Sequence, residues 1–127
     1  MTGYVGHIED ETLKNGFFRK VIFTGEHAQL VLMCIQPGDE IGLETHNDND
    51  QFFRVEQGVA IFTIAGKEVR VADGDAVSVP AGTLHNVKSV SDEPLKLYTI
   101  YSPPHHNDGT VHKTKADAEK AEAAERA

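Results

Sequence analysis

Short hydrophobic runs, separated by Gly, Pro, Asn and Asp, fill the middle of the chain. They recur at intervals of about 8–12 residues, which is typical of an all-β sandwich or barrel. No segment between them has the 3.6-residue apolar period of a helix, so a fold of alternating strands and helices is disfavoured. The pattern predicts eight strands: Arg19–Thr24, Ala28–Ile35, Gln51–Glu56, Val59–Ile64, Glu68–Val71, Ala76–Val79, His85–Val90 and Leu95–Tyr101.

The composition changes after Tyr101, where an irregular Pro- and His-rich stretch gives way to a segment rich in Ala, Lys and Glu. Thr114 and Asp117 stand at capping-box spacing at the start of this segment, which predicts a short C-terminal helix. Alanine is its only apolar content, so we expect the helix to be solvated and frayed. The chain divides into an N-terminal arm (1–16), a barrel (17–101), a His-rich connector (102–112) and a helical tail (113–127).

Length and composition limit the classes of protein to consider. A chain of 127 residues with 39% hydrophobic and 25% charged residues suits one globular domain. No apolar run approaches the roughly 20 residues of a membrane span. The first residues lack the basic and apolar regions of a secretory signal, so we expect a cytoplasmic protein.

The charge balance narrows the choice of partners. Twelve Lys and Arg stand against twenty Asp and Glu, a formal net charge of -8. Such a chain repels phosphate backbones and anionic lipid, so we expect no nucleic acid and no membrane partner. A divalent cation suits it better. The one cysteine, Cys34, lies in an apolar run and is expected to be a buried thiol.

Four polar residues are candidates for a metal site. Glu44 and His46 are two positions apart, so on an extended segment they project from the same face. Gln51 shares the inward face of its strand with Phe53, and His85 follows a turn containing Pro and Gly. A carboxylate, two imidazoles and an amide oxygen that converge inside a barrel would bind a divalent metal.

The alternative interpretation places these residues apart. Glu44 and His46 would be solvated in an acidic loop, and His85 would be an ordinary turn residue. Asp48 and Asp50 are further candidate ligands, although a polar loop that adds negative field is the more ordinary role for them.

The spacing of these residues resembles the two motifs of the cupin family. The first motif, G-x5-H-x-H-x3-4-E-x6-G, corresponds to Gly38-x5-Glu44-x-His46-x4-Gln51-x6-Gly58. The second, G-x5-P-x-G-x2-H-x3-N, corresponds to Gly74-x5-Pro80-x-Gly82-x2-His85, with Ser89 at the usual Asn. The resemblance implies a cupin antiparallel β-barrel of the double-stranded β-helix or jelly-roll type.

Two departures from the family pattern bear on chemistry. Glu44 stands at the usual first histidine, and Gln51 stands at the usual glutamate. Glu44, His46 and His85 then supply two histidines and one carboxylate, the ligand types of non-haem Fe(II) sites. Gln51 would be a weak fourth ligand or would orient water. We expect one divalent transition metal, Fe, Mn, Zn or Ni.

The connector offers candidate acid–base residues. His105, His106 and His112 would act as general acid or base if this segment covers the barrel mouth. The alternative is a solvated connector with incidental histidines.

Three functions follow from the resemblance: a metal-dependent isomerase or lyase acting on a hydroxy-carbonyl compound, an Fe(II)-dependent oxygenase, or a non-catalytic binder of a small ligand. Alternation points Arg54 and Lys88 outward and leaves Lys96 undecided, which disfavours a phosphorylated substrate. A small polar ligand such as a polyol or a keto acid suits the site better.

A homodimer is also expected. Phe17, Phe18 and an outward-facing Phe52 would expose apolar surface on a monomer.

Overall fold

The computed structural model describes residues 3–126, so the predicted arm and tail extend beyond it at residues 1, 2 and 127. All eight predicted strands are present with ends within one residue of the predicted ones. The strands are β1 (Arg19–Thr24), β2 (Gln29–Ile35), β3 (Asp50–Gln57), β4 (Val59–Ile64), β5 (Lys67–Ala72), β6 (Ala76–Val79), β7 (His85–Ser89), β8 (Leu95–Ser102) and β9 (Val111–His112). The helices are α1 (Ile8–Lys14) and α2 (Lys115–Arg126).

Two antiparallel sheets enclose the core. One has six strands in the order β6-β3-β8-β2-β1-β9, and the other has three in the order β5-β4-β7. Phe53 of the larger sheet meets Phe62 of the smaller one edge to face, with ring centroids 5.0 Å apart. Both rings are buried. The predicted all-β antiparallel barrel with a C-terminal helix is therefore confirmed.

The β4–β5 hairpin has the turn that the sequence indicates. Ala65 and Gly66 both have positive φ angles, 50° and 83°. A two-residue turn with this backbone matches the twist of the flanking strands, and glycine adopts it without steric cost. The register then runs from Ile64 opposite Lys67 to Val59 opposite Ala72.

The N-terminal arm contains a helix that the sequence analysis missed. Helix α1 has seven residues, too few for a hydrophobic period to be recognised. Acidic residues in its first turn and Lys14 in its last turn complement the helix dipole. Thr12 is fully buried, and its hydroxyl donates to the Ile8 carbonyl at 2.7 Å. Lys96 of β8 donates to the Leu13 carbonyl, so the lysine left undecided by alternation faces this helix.

The C-terminal helix lies against the barrel at one buried residue, while most of its side chains are exposed, as expected for a solvated helix. Thr114 caps the helix as predicted, accepting a hydrogen bond from the Asp117 amide at 3.1 Å. Ala118 is only 2% exposed and belongs to the hydrophobic core. Lys115 pairs with Asp39 at 3.0 Å. One small apolar residue and a few ion pairs dock the helix, which explains why its composition gave no sign of burial.

The connector also differs from the irregular segment expected. Its end forms β9, in which Val111 pairs with Lys20 and His112 with Arg19 of β1. The Phe18 amide donates to the Lys113 carbonyl at 3.1 Å. These backbone bonds fix the C-terminal end of the connector. Its N-terminal end is fixed too, because it continues directly from β8.

Less apolar surface is exposed than the homodimer prediction assumed. Phe18 is 5% exposed, and Phe17 is half-buried. Phe52 is half-buried too, beside Tyr98. The homodimer stays a prediction.

Across residues 3–126, the helices are too short and too polar to cross a membrane.

Candidate metal centre

Glu44 and His85 are brought together by the backbone. They face each other across an antiparallel bridge in which the Glu44 amide donates to the His85 carbonyl at 2.9 Å. The His85 amide returns a bond to the Glu44 carbonyl at 3.0 Å. Residues directly opposite each other in such a pair project their side chains from the same face. A carboxylate and an imidazole that are 41 residues apart in the chain therefore become neighbours.

His46 completes a cluster with these two residues. One ligand atom from each of Glu44, His46 and His85 lies within 4.8 Å of the others. The Gly82 amide donates to the His46 carbonyl at 2.9 Å, so the turn that precedes His85 also holds His46. Asp50 is exposed, and its carboxylate accepts from the Ala81 amide at 2.9 Å. Asp48 is exposed as well, and neither aspartate is part of the cluster.

Within residues 3–126, three buried atoms that can bind a metal have no hydrogen-bond partner: His46 Nε2, His85 Nε2 and Gln51 Oε1. The first two belong to the cluster, and Gln51 is paired in the sheet with Tyr101, whose ring is 5.7 Å from that of His46. Leaving buried polar atoms unpaired is costly, which indicates that a ligand satisfies them. His85 Nδ1 lies 2.9 Å from the Thr83 carbonyl, which can only accept, so Nδ1 carries the proton and Nε2 presents its lone pair. Gln51 Nε2 donates to Thr99 Oγ1 at 3.0 Å, which orients its free oxygen. These donors fit a divalent transition metal.

The electrostatics of the cluster favour the same conclusion. Burial, aided by the nearby His105 and His85, lowers the pKa of His46 to about 4. Histidine binds metal in its neutral form, which this environment enforces at neutral pH. Burial raises the pKa of Glu44 to about 7, although Arg19 opposes the shift. A divalent cation would stabilise the Glu44 carboxylate that burial disfavours.

The connector histidines line the space above this cluster, in a cavity of about 800 Å³. The His105 ring lies 4.4 Å from the His46 ring, and the His106 ring lies 4.7 Å from that of His105. His106 Nε2 is 3.4 Å from the Tyr101 hydroxyl. His112 lies further out and accepts from Arg19 Nη1 at 3.1 Å. The connector histidines therefore line the cavity, although His105 and most other connector residues are exposed, and the acid–base role of these histidines stays a prediction.

A buried glutamine that sequence reasoning missed holds the connector in place. Gln29 Oε1 accepts from the backbone amides of His105 and His106 at 3.1 and 2.9 Å. Gln29 Nε2 donates to the His106 carbonyl at 2.8 Å. Gln29 is fully buried at the start of a strand. The sequence signal that could have identified Gln29 is a polar residue at the start of an apolar run.

Tyr101 is a second residue that sequence reasoning missed. It sits between Gln51 and Gln29 in the register of the larger sheet, with its ring 5.7 Å from the His46 ring. Burial raises the pKa of its hydroxyl, which stays protonated at neutral pH. The inward positions of β8 alternate regularly up to Tyr101, but apolar Tyr98 and Ile100 on the outer face obscured that alternation in the sequence.

Arg19 is a buried cation in addition to the three basic residues whose directions were considered from the sequence. Arg54 is half-exposed and Lys88 is exposed, as alternation indicated. Arg19, at the start of β1, is 2% exposed and lines the cavity together with His112. The direction of the Arg19 side chain was not predicted from the sequence, because this residue begins its strand directly after two phenylalanines. The absence of an inward cation is therefore no longer a reason to disfavour a phosphorylated substrate.

Comparisons with known proteins agree with this architecture. The sequence model described as "Cupin domain" matches residues 31–101. The crystal structure of BH2720 from Bacillus halodurans is 47% identical, with a TM-score of 0.91 over 92% of this chain and 93% of that one. The uncharacterized protein YrkC of Bacillus subtilis (strain 168) is 46% identical over 125 residues, 94% of this chain and 67% of that protein.

A viral protein is similar to this chain as well. The uncharacterized protein L612 of Acanthamoeba polyphaga mimivirus is 45% identical over 112 residues, which is 85% of this chain and 70% of that protein. The double-sheet barrel, the paired motifs and these matches lead to one conclusion. The chain belongs to the cupin domain family.

Proposed function

We propose that the protein is a metal-dependent enzyme that acts on a small oxygen-rich substrate by isomerase- or lyase-like proton transfer. The observation that carries this proposal is the set of three orphaned donor atoms beside the Glu44 carboxylate. Glu44 and His46 line a cavity that His105, His106 and His112 also line, and His85 joins them in the cluster. A divalent ion held there would act as a Lewis acid that polarises a carbonyl or a hydroxyl of the substrate.

Different residues would bind the metal ion and transfer the proton. Glu44, His46, His85 and Gln51 would hold the ion, so none of them is free to move a proton. His105 and His106 are the nearest candidates for that task. Burial and the Arg19 charge lower the pKa of both rings, so each is neutral at neutral pH. The pKa of His106 falls to about 2, which makes it a weak base, so His105 is the better candidate to accept a proton. The Tyr101 hydroxyl beside His106 Nε2 can relay or donate a hydrogen bond.

Solvent-proton exchange tests this proposal without knowledge of the product. Protein loaded with Mn²⁺, Fe²⁺, Ni²⁺ or Zn²⁺ is incubated in D₂O with a panel of hydroxy-carbonyl compounds and followed by NMR. We expect deuterium to enter the carbon next to the carbonyl, and chelation of the metal to stop the exchange. Metal-independent exchange, or no exchange with any loaded form, would contradict the proposal.

Replacing His105 by alanine should lower the exchange rate by about 10²–10⁴-fold, the range expected for loss of a general acid or base. Metal content should be unchanged, because His105 is outside the ligand cluster. His27→Ala is the matched control, since His27 is exposed and outside the cavity lining. Equal rates in both variants would remove His105 from the mechanism.

A second candidate function is Fe(II)-dependent oxygenation, which the two histidines and one carboxylate of the cluster favour. Oxygen uptake by the Fe²⁺-loaded protein, measured with an electrode in the presence of the same compounds, distinguishes the two. Uptake without deuterium exchange would favour the oxygenase. Binding of the compounds with neither reaction would favour a non-catalytic binder.

A further inference from the structure

Arg19 is a buried arginine whose hydrogen-bonding capacity is only partly used. Its side chain is 3% exposed and lines the same cavity as Glu44 and His46 of the metal cluster. Nη1 donates to His112 Nδ1 at 3.1 Å and lies 3.5 Å from Glu122 Oε1. Nε is buried and has no partner. Buried guanidinium groups are ordinarily paired with a carboxylate or a phosphate in good geometry, and Arg19 lacks such a pair.

The contact between Arg19 and Glu122 is loose. Its distance of 3.5 Å is at the limit of a hydrogen bond, and the Glu122 side chain is 42% exposed. Glu122 belongs to α2, which is anchored by Ala118 and by Lys115 rather than by an extensive apolar face. A pair at this distance with a partly exposed carboxylate contributes little, so a ligand that binds Arg19 can replace Glu122 at a small cost in free energy.

The Arg19 charge also acts on the metal cluster. It lowers the pKa values of Glu44 and His46 as well as those of the connector histidines. Arg19 is therefore within electrostatic range of the ligand atoms while standing on a different wall of the cavity. A small molecule in a cavity of about 800 Å³ could reach both.

We propose that Arg19 is the anion-recognition group of this cavity, and that the Glu122 carboxylate occupies the place of a substrate carboxylate. The substrate class is then a small hydroxy- or keto-acid whose carboxylate binds Arg19 while its hydroxy-carbonyl end faces Glu44, His46 and His85. This inference rests on the proposed function and specifies its substrate.

The charges on the cavity wall favour a carboxylate over a phosphate. Four carboxylates line the cavity, those of Glu44, Glu119, Glu122 and Glu125, against the two cations Arg19 and Lys115. Lys115 is already engaged with Asp39 and Glu119. A monoanionic carboxylate that displaces Glu122 leaves the charge next to Arg19 unchanged, whereas a dianionic phosphate would add repulsion.

Matched ligands and matched variants test the inference. L-Malate carries a second carboxylate that L-lactate lacks, and both carry the same hydroxy acid group. Titration calorimetry on the metal-loaded full chain measures both affinities, with inorganic phosphate as a third ligand. We expect Glu122→Gln to tighten malate binding about two- to sixfold, because it removes a weak internal competitor. Lactate affinity should not change.

Arg19→Lys should weaken malate binding about tenfold or more, because lysine keeps the charge but loses the planar fork of donors. Glu119→Gln is the control: it removes a charge from the same helix and cavity without touching Arg19, and should change malate affinity less than Glu122→Gln does. If Arg19→Lys does not fold, as judged by its thermal transition, the Glu122→Gln and Glu119→Gln pair still decides the question.

Three results would overturn the inference. Equal malate affinity in the wild type and Arg19→Lys would remove Arg19 from recognition. Weaker malate binding in Glu122→Gln would make Glu122 a ligand contact rather than a competitor. Phosphate binding that is tighter than malate binding and lost in Arg19→Lys would reject the carboxylate class. The same titrations on metal-free protein separate this question from metal-dependent catalysis, because the Glu122→Gln effect on malate requires Arg19 alone.

Discussion

Replacing His85 by alanine is expected to abolish stoichiometric metal binding. His85 presents an oriented, unpaired Nε2, and its backbone pairing with Glu44 places the carboxylate beside it. Removing the imidazole leaves a two-residue remnant of the cluster. Because loss of even an outer hydrogen bond to a ligand costs 10–100-fold in metal affinity, loss of the ligand itself should cost more than about 100-fold. Metal content per chain after gel filtration, by mass spectrometry, measures the effect.

Gln51→Ala and His27→Ala set the scale for this result. Gln51 offers a neutral oxygen, so its loss should weaken binding without abolishing it. His27 is exposed and should make no difference. Full metal content in the His85 variant would show that the cluster is not the metal site, and an equal loss in the His27 variant would indicate unspecific binding.

Phe53→Ala is expected to lower the free energy of unfolding by about 3–5 kcal/mol, a large part of the stability of a domain this size. The ring is 1% exposed, packs edge to face on Phe62, and lies 6.2 Å from the His85 ring. Its removal leaves a cavity between the two sheets and takes away a support of His85. Urea unfolding of the metal-free protein, followed by circular dichroism, measures the stability.

Phe52→Ala is the matched control, because the two phenylalanines are consecutive and face opposite sides of the sheet. Phe52 is half-buried beside Tyr98 at a centroid distance of 6.4 Å. Its replacement should cost about 1–2 kcal/mol, in keeping with partial burial of an aromatic side chain. Similar losses in both variants would contradict the assignment of the core to the space between the sheets.

The strands were predictable because each is encoded locally. Alternation of apolar and polar positions, bounded by turns such as Ala65-Gly66, indicates where β-structure begins and ends. The residues of the metal cluster were identifiable for the same reason, since their spacing follows the family motifs. Helix α1 was missed because seven residues carry too little periodicity, and the direction of Lys96 was left undecided because the outer face of β8 is apolar.

The sequence by itself determined the all-β class, the strand ends and the identity of Glu44, His46, Gln51 and His85 as candidate ligands. Tertiary structure decided what surrounds them. The contact of Arg19 with Glu122, the bonds of Gln29 to the connector and the docking of α2 through the Lys115–Asp39 pair all join residues more than 75 positions apart. Such contacts leave no local period or spacing in the chain, because they depend on which strands become neighbours when the sheets close.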